Sequence, residues 1–99
     1  TIEGVIAAME NGADILKVFP GDAFGPKIIK AIKGPIPQAN LMPTGGVSVD
    51  NAGEWIKAGA IAVGAGGSLT AGARTGDYDS ITKLATQFIE RINEARQSM

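Results

Sequence analysis

Apolar residues along the chain alternate between helical and extended spacing. Ile2, Val5, Ile6 and Met9 recur at three- and four-residue intervals, one face of a helix. Thr1 is placed to cap its start, and Gly12, after Asn11, supplies the left-handed position that ends it. Ala13-Asp14-Ile15-Leu16-Lys17-Val18-Phe19 then reads as a short strand stopped by Pro20-Gly21. Pro26 opens a second helix whose apolar face is Ile28, Ile29 and Ile32 and which Gly34-Pro35 closes. Lys27, Lys30 and Lys33 fall on the opposite, solvated face.

A second strand, Ala39-Asn40-Leu41-Met42-Pro43, is broken by Thr44-Gly45-Gly46. Ser48 or Asp50 is placed to cap a helix carrying Ala52, Trp55 and Ile56, which Gly59 closes, and Trp55 is expected in packing. Ala60-Ile61-Ala62-Val63 is a third strand, ended by Gly64-Ala65-Gly66-Gly67-Ser68. The last helix is capped near Asp77 and lines up Ile81, Leu84, Ala85, Phe88 and Ile92.

The order α-β-α-β-α-β-α implies right-handed βαβ units and a parallel sheet, an α/β fold. Helices on one face of three strands leave the other face to be covered, which a closed (β/α)8 barrel does. The chain reads as the C-terminal portion of such a TIM barrel. Residues 1–99 form a single partial domain, and the start at Thr1 without Met suggests a missing N-terminal half. A doubly wound sheet is the runner-up, but no G-x-G-x-x-G follows the first strand.

Composition narrows the chemistry. The chain has 99 residues, 44% apolar and 19% charged, with net charge −1 and dispersed lysines. Nothing here predicts nucleic-acid binding. No apolar run approaches the roughly 20 residues of a membrane span, and no signal peptide is visible. The absence of cysteine excludes disulfides and thiolate ligands within the chain and fits a cytoplasmic protein. The absence of histidine leaves acid–base work to Asp, Glu, Lys, Tyr or Ser.

Two features carry candidate chemistry. Lys17 sits near the C-terminal end of its strand, where barrel enzymes keep their active sites. Ile15, Lys17 and Phe19 share one side of the strand. In a closed barrel that side is covered, and a buried lysine is either paired, as with Asp14 or Asp22, or a neutral amine available as a nucleophile. The second feature is the pair of glycine loops, Thr44-Gly45-Gly46 and Gly64-Ala65-Gly66-Gly67-Ser68, at consecutive strand ends. Glycines admit close approach of an anion to backbone N–H groups, and barrels often hold phosphate between their last two βα loops and a short helix. Both loops are also ordinary tight βα turns.

Leu16-Lys17-Val18-Phe19-Pro20, Pro43-Thr44-Gly45-Gly46-Val47 and Gly66-Gly67-Ser68 together resemble three signatures of the 2-keto-3-deoxy-6-phosphogluconate / 2-keto-4-hydroxyglutarate (KDPG/KHG) aldolases, in order and in spacing. Gly76-Asp77-Tyr78-Asp79 is similar to the same family ahead of its last helix. The resemblance implies a class I, pyruvate-releasing carbon–carbon lyase in which Lys17 forms the Schiff base. It implies that Thr44, Gly45, Gly46, Gly67 and Ser68 help hold the substrate phosphate, with Phe19 and Gly66 shaping the pocket. It implies a phosphorylated 2-keto acid substrate, a homotrimer at full length, and no metal or cofactor, since the iminium is the electron sink. The segment Ala23-Phe24-Gly25-Pro26 also resembles 6-phosphogalactonate aldolases, so both epimeric substrates stay open. The family's general-base glutamate and substrate-binding arginine belong to its N-terminal half and have no counterpart here. The isolated chain is therefore expected to be inactive.

Two rival readings remain. Another phosphosugar barrel, an isomerase or synthase, would share the glycine loops without needing Lys17. A non-catalytic half-barrel fragment would instead associate through its open strand edges. Arg74, in a glycine-rich stretch, and Asp22, after the lysine strand, are lesser candidates for contact with substrate or a neighbouring subunit.

Overall fold

The computed structural model describes residues 2–99. The elements in chain order are α1 (Ile2–Glu10), β1 (Leu16–Val18), α2 (Gly21–Phe24), α3 (Lys27–Lys33), β2 (Leu41–Pro43), α4 (Ala52–Ala58), α5 (Gly67–Thr70), a 3-10 segment (Ala71–Thr75) and α6 (Tyr78–Gln97). The expected Thr1 cap and the Ile2 side chain lie outside the described residues. Val5 on α1 is buried and Met9 packs against the core, but Ile6 is exposed, so the helix buries a narrower stripe than its sequence suggests.

β1 and β2 pair in parallel, with Leu16 opposite Leu41, Lys17 opposite Met42 and Val18 opposite Pro43. Leu41 and Pro43 are buried on the helix-covered face, where Leu16 and Val18 join the same core. Lys17 and Met42 occupy the other face, as strand alternation requires. This is an α/β arrangement built on a short parallel sheet.

The third expected strand, at 60–63, forms only a bridge between Thr44 and Gly64. The cause lies in β2. Ile61 N–H donates to Leu41 O at 3.0 Å, so a regular parallel ladder would next have residue 43 donate to Ile61 O. Residue 43 is proline and has no N–H. The ladder slips by one residue, and Gly64 N–H rather than residue 63 reaches Pro43 O at 2.8 Å. The Ile61 carbonyl is taken instead by the Arg96 guanidinium, whose Nη2 donates to it at 2.9 Å from the end of α6.

The core lies between the sheet and α3, α4 and α6. Ile29, Ile32, Leu41, Ala52, Trp55 and Phe88 are its centre, with Trp55 only 1% exposed. α6 delivers Phe88 and Ala95 as buried residues, with Ile81, Leu84, Ala85 and Ile92 half-buried beside them. Asp77 caps α6, its Oδ1 accepting from Ser80 N–H at 3.2 Å. At α4 neither Ser48 nor Asp50 is the cap residue; Asn51 holds that place, with no side-chain bond into the helix. The short helices α2 and α5 and the 3-10 segment are the elements that hydrophobic spacing did not predict, since each is too short for a period. Lys33 leaves the expected solvated face as well: it is half-buried, and its Nζ donates to Ala39 O at 3.0 Å. None of the described helices is long and apolar enough to cross a membrane.

Candidate active site

The C-terminal ends of β1 and β2 open into one cavity of about 630 Å³. Lys17 and Phe19 line it from the first strand. Thr44, Gly45 and Gly46 line it from the loop after β2, and Gly66, Gly67 and Ser68 from the loop after the bridge. All eight residues singled out in the sequence meet at this place. Val47, Ser48, Gly64 and Ala65 complete the wall.

Lys17 is exposed in this chain; the covered face is expected of a closed barrel. Its side of the sheet faces the cavity, and the helices that form the core pack on the other side. Its Nζ stands 5.3 Å from the centroid of the Phe19 ring, within cation–π range. Phe19 is 66% exposed and lies across the first glycine loop; a Cβ on Gly45 would sit 3.2 Å from Phe19 Cε2. The aromatic ring thus joins the lysine to the glycine loop along one wall.

The loop after β2 turns through Gly45 and Gly46, at φ 85° and 70°. Gly46 is doubly required: its φ disfavours any side chain, and a Cβ there would collide with Asp22 Cβ. α2 therefore rests directly on this loop, and Gly21 N–H ties the two by donating to Thr44 O at 2.6 Å.

Two side chains tie down the backbone of the loop through three hydrogen bonds. Asn51 Nδ2 donates to Gly46 O at 2.8 Å, and Asn51 Oδ1 accepts from Ser48 N–H at 2.9 Å. Ser68 Oγ donates to Val47 O at 2.7 Å, across from the second glycine loop. Among the described residues, the N–H groups of Gly46, Val47, Gly67 and Ser68 have no protein acceptor. Unpaired N–H groups on a concave wall are suited to an anion.

Two predicted binding residues act differently from what their hydroxyls suggest. Ser68 Oγ spends its proton on Val47 O, so its backbone N–H is the free donor. Thr44 Oγ1 is buried and without a hydrogen-bond partner, while its Cγ2 packs where a Gly64 Cβ would be. Asn51 was missed in the sequence. Its signal was present, an Asn directly before the apolar run of α4, but it reads as a helix cap. Asp22 lies in the first turn of α2 and Arg74 in the exposed 3-10 segment; neither lines the cavity.

The profile of the KDPG and KHG aldolase family matches residues 1–84. The chain belongs to that family. It is 35% identical over 98 residues to the 2-dehydro-3-deoxy-6-phosphogalactonate aldolase of Escherichia coli, covering 98% of this chain and 47% of the relative. It is 36% identical over 93 residues to the KHG/KDPG aldolase of the same organism, covering 91% and 44%. A solved structure described as native KDPGal superposes with TM-score 0.86 at 35% identity, covering 98% of this chain and 47% of that one. The chain thus spans slightly less than half the length of the aldolases it matches. The relatives are named for both substrate series, and their near-equal identities do not separate the two. Residues 1–84, which the family profile matches, include the lysine strand and both glycine loops that line the cavity.

Proposed function

We propose that the chain is the C-terminal portion of a (β/α)8 aldolase barrel and carries its Schiff-base lysine and phosphate cradle. The observation that carries this reading is the shared cavity. An exposed lysine amine and a set of unpaired backbone N–H groups open into it from adjacent strand ends.

In the proposed reaction the Lys17 amine attacks the C2 ketone of a phosphorylated 2-keto-3-deoxy sugar acid. Loss of water gives a protonated imine. A carboxylate from the rest of the barrel removes the C4 hydroxyl proton. The C3–C4 electron pair moves toward the iminium, leaving an enamine and releasing glyceraldehyde 3-phosphate. The enamine takes a proton at C3, and water hydrolyses the resulting imine to pyruvate and free Lys17. The N–H groups of Gly46, Gly67 and Ser68 hold the phosphate, which aligns the scissile bond through binding energy remote from it. Phe19 borders the lysine and shapes that wall of the pocket.

The test is pyruvate release from the gluconate-series and galactonate-series substrates. The assay uses the chain co-expressed with the N-terminal half of the Escherichia coli phosphogalactonate aldolase. The proposal expects release with both halves present, little from the chain alone, and loss on Lys17→Arg. Full pyruvate release in Lys17→Arg overturns the Schiff-base assignment, and no pyruvate release with both halves present favours a phosphosugar isomerase or synthase. The preferred epimer follows from the ratio of kcat/KM values.

A further inference from the structure

Asn51 belongs to none of the sequence motifs and does not line the cavity, yet its side chain makes two bonds to the loop that does. Its amide donates to Gly46 O and accepts from Ser48 N–H, so one side chain spans the loop on both sides of Val47. Only an amide carries a donor and an acceptor at this reach: Asp lacks the donor, and Gln is one methylene longer.

The peptide plane turns this contact into a constraint on the site. The C=O of Gly46 and the N–H of Val47 belong to one trans peptide and point in opposite directions. Holding Gly46 O toward Asn51 therefore aims the Val47 N–H away from Asn51. Ser68 Oγ holds the next carbonyl, Val47 O, in the same way. Val47 is 3% exposed and its side chain is in the core, but the residue lines the cavity, and its N–H has no protein acceptor among the described residues.

We infer that Asn51 is a positioning residue for the anion cradle, and that it makes the Val47 N–H one of the donors to the substrate phosphate. This rests on the phosphate-cradle reading of the cavity. Asn51 touches no substrate atom; it acts by preventing the Gly46–Val47 peptide from flipping, a motion that the neighbouring glycines would otherwise permit.

The experiment is an amide-resolved magnetic-resonance titration of the whole chain with inorganic phosphate. In the wild-type chain the Gly46, Val47, Gly67 and Ser68 amides shift along one saturation curve. In Asn51→Ala and in Asn51→Asp the Val47 response collapses, the Gly67 and Ser68 responses persist, and the apparent Kd rises by about fivefold or more. Agreement between the neutral and the acidic variant separates peptide orientation from charge repulsion. A Val47 amide that stays still while Gly46 and Gly67 move overturns the inference, as does wild-type binding in Asn51→Ala. Should Asn51→Ala fail to fold, the wild-type Val47 response decides alone. Phosphate shifting none of these amides overturns the cradle itself, an outcome distinct from failure at Val47 only.

Discussion

Ser68 donates a hydrogen bond to the carbonyl of Val47 at 2.7 Å, joining two loops 21 residues apart in sequence. The contact makes the two glycine loops one wall. It also accounts for a serine at the second position of α5, where its hydroxyl faces the neighbouring loop rather than its own helix.

Ser68→Ala removes that tie. A net hydrogen bond of this kind contributes about 0.5–1.5 kcal/mol, so urea unfolding shifts toward lower midpoint by a corresponding amount. Phosphate binding weakens in the same variant because the two loops separate. An unchanged midpoint together with unchanged phosphate affinity contradicts the role assigned to the hydroxyl.

Gly46→Ala and Gly67→Ala separate structure from site. At Gly46 an added Cβ meets Asp22 and the backbone is held at φ 70°, so the variant loses roughly 1–3 kcal/mol. At Gly67 the added Cβ has no atom within 4 Å, so stability stays near wild type. Equal destabilisation of the two, measured by thermal or urea melts, contradicts the packing of α2 on the loop.

The last two strands differ in how far the sequence revealed them. β1 and β2 follow from apolar runs and stops, and the cavity residues follow from what stands at their ends. The third strand was legible in its own residues, Ala60 to Val63, but its fate is decided by Pro43, a residue in its neighbour. Ladder register is a non-local property, and no local propensity reports that the partner lacks a donor. Asn51 escaped for a related reason: its bonds depend on where the loop folds back.

Arg96 substitutes for the donor that Pro43 lacks. Arg96→Met retains most of the aliphatic stem and releases the Ile61 carbonyl, and it lowers stability by about 0.5–1.5 kcal/mol. Amide exchange at Ile61 and Gly64 accelerates more than exchange in β1. Uniform exchange rates in the variant contradict a local role at the strand.

Trp55 is the largest side chain in the core, fully enclosed, with an indole N–H that has no hydrogen-bond partner. Trp55→Ala costs about 3–5 kcal/mol by removing a packed aromatic, a large share of the roughly 5–15 kcal/mol that holds a domain of this size folded. Trp55→Phe keeps most of the packing and removes the unpaired donor, so its loss is smaller. Circular dichroism during urea titration ranks the two, and the reverse order contradicts the core assignment.

The central claim is that Lys17 is the imine-forming lysine, and borohydride trapping with pyruvate tests it most directly. The chain is incubated with pyruvate, reduced, digested and mapped by mass. The account predicts one reduced pyruvyl adduct, located on Lys17, and none in Lys17→Arg. No adduct, or an adduct on Lys27, Lys30 or another lysine, contradicts it.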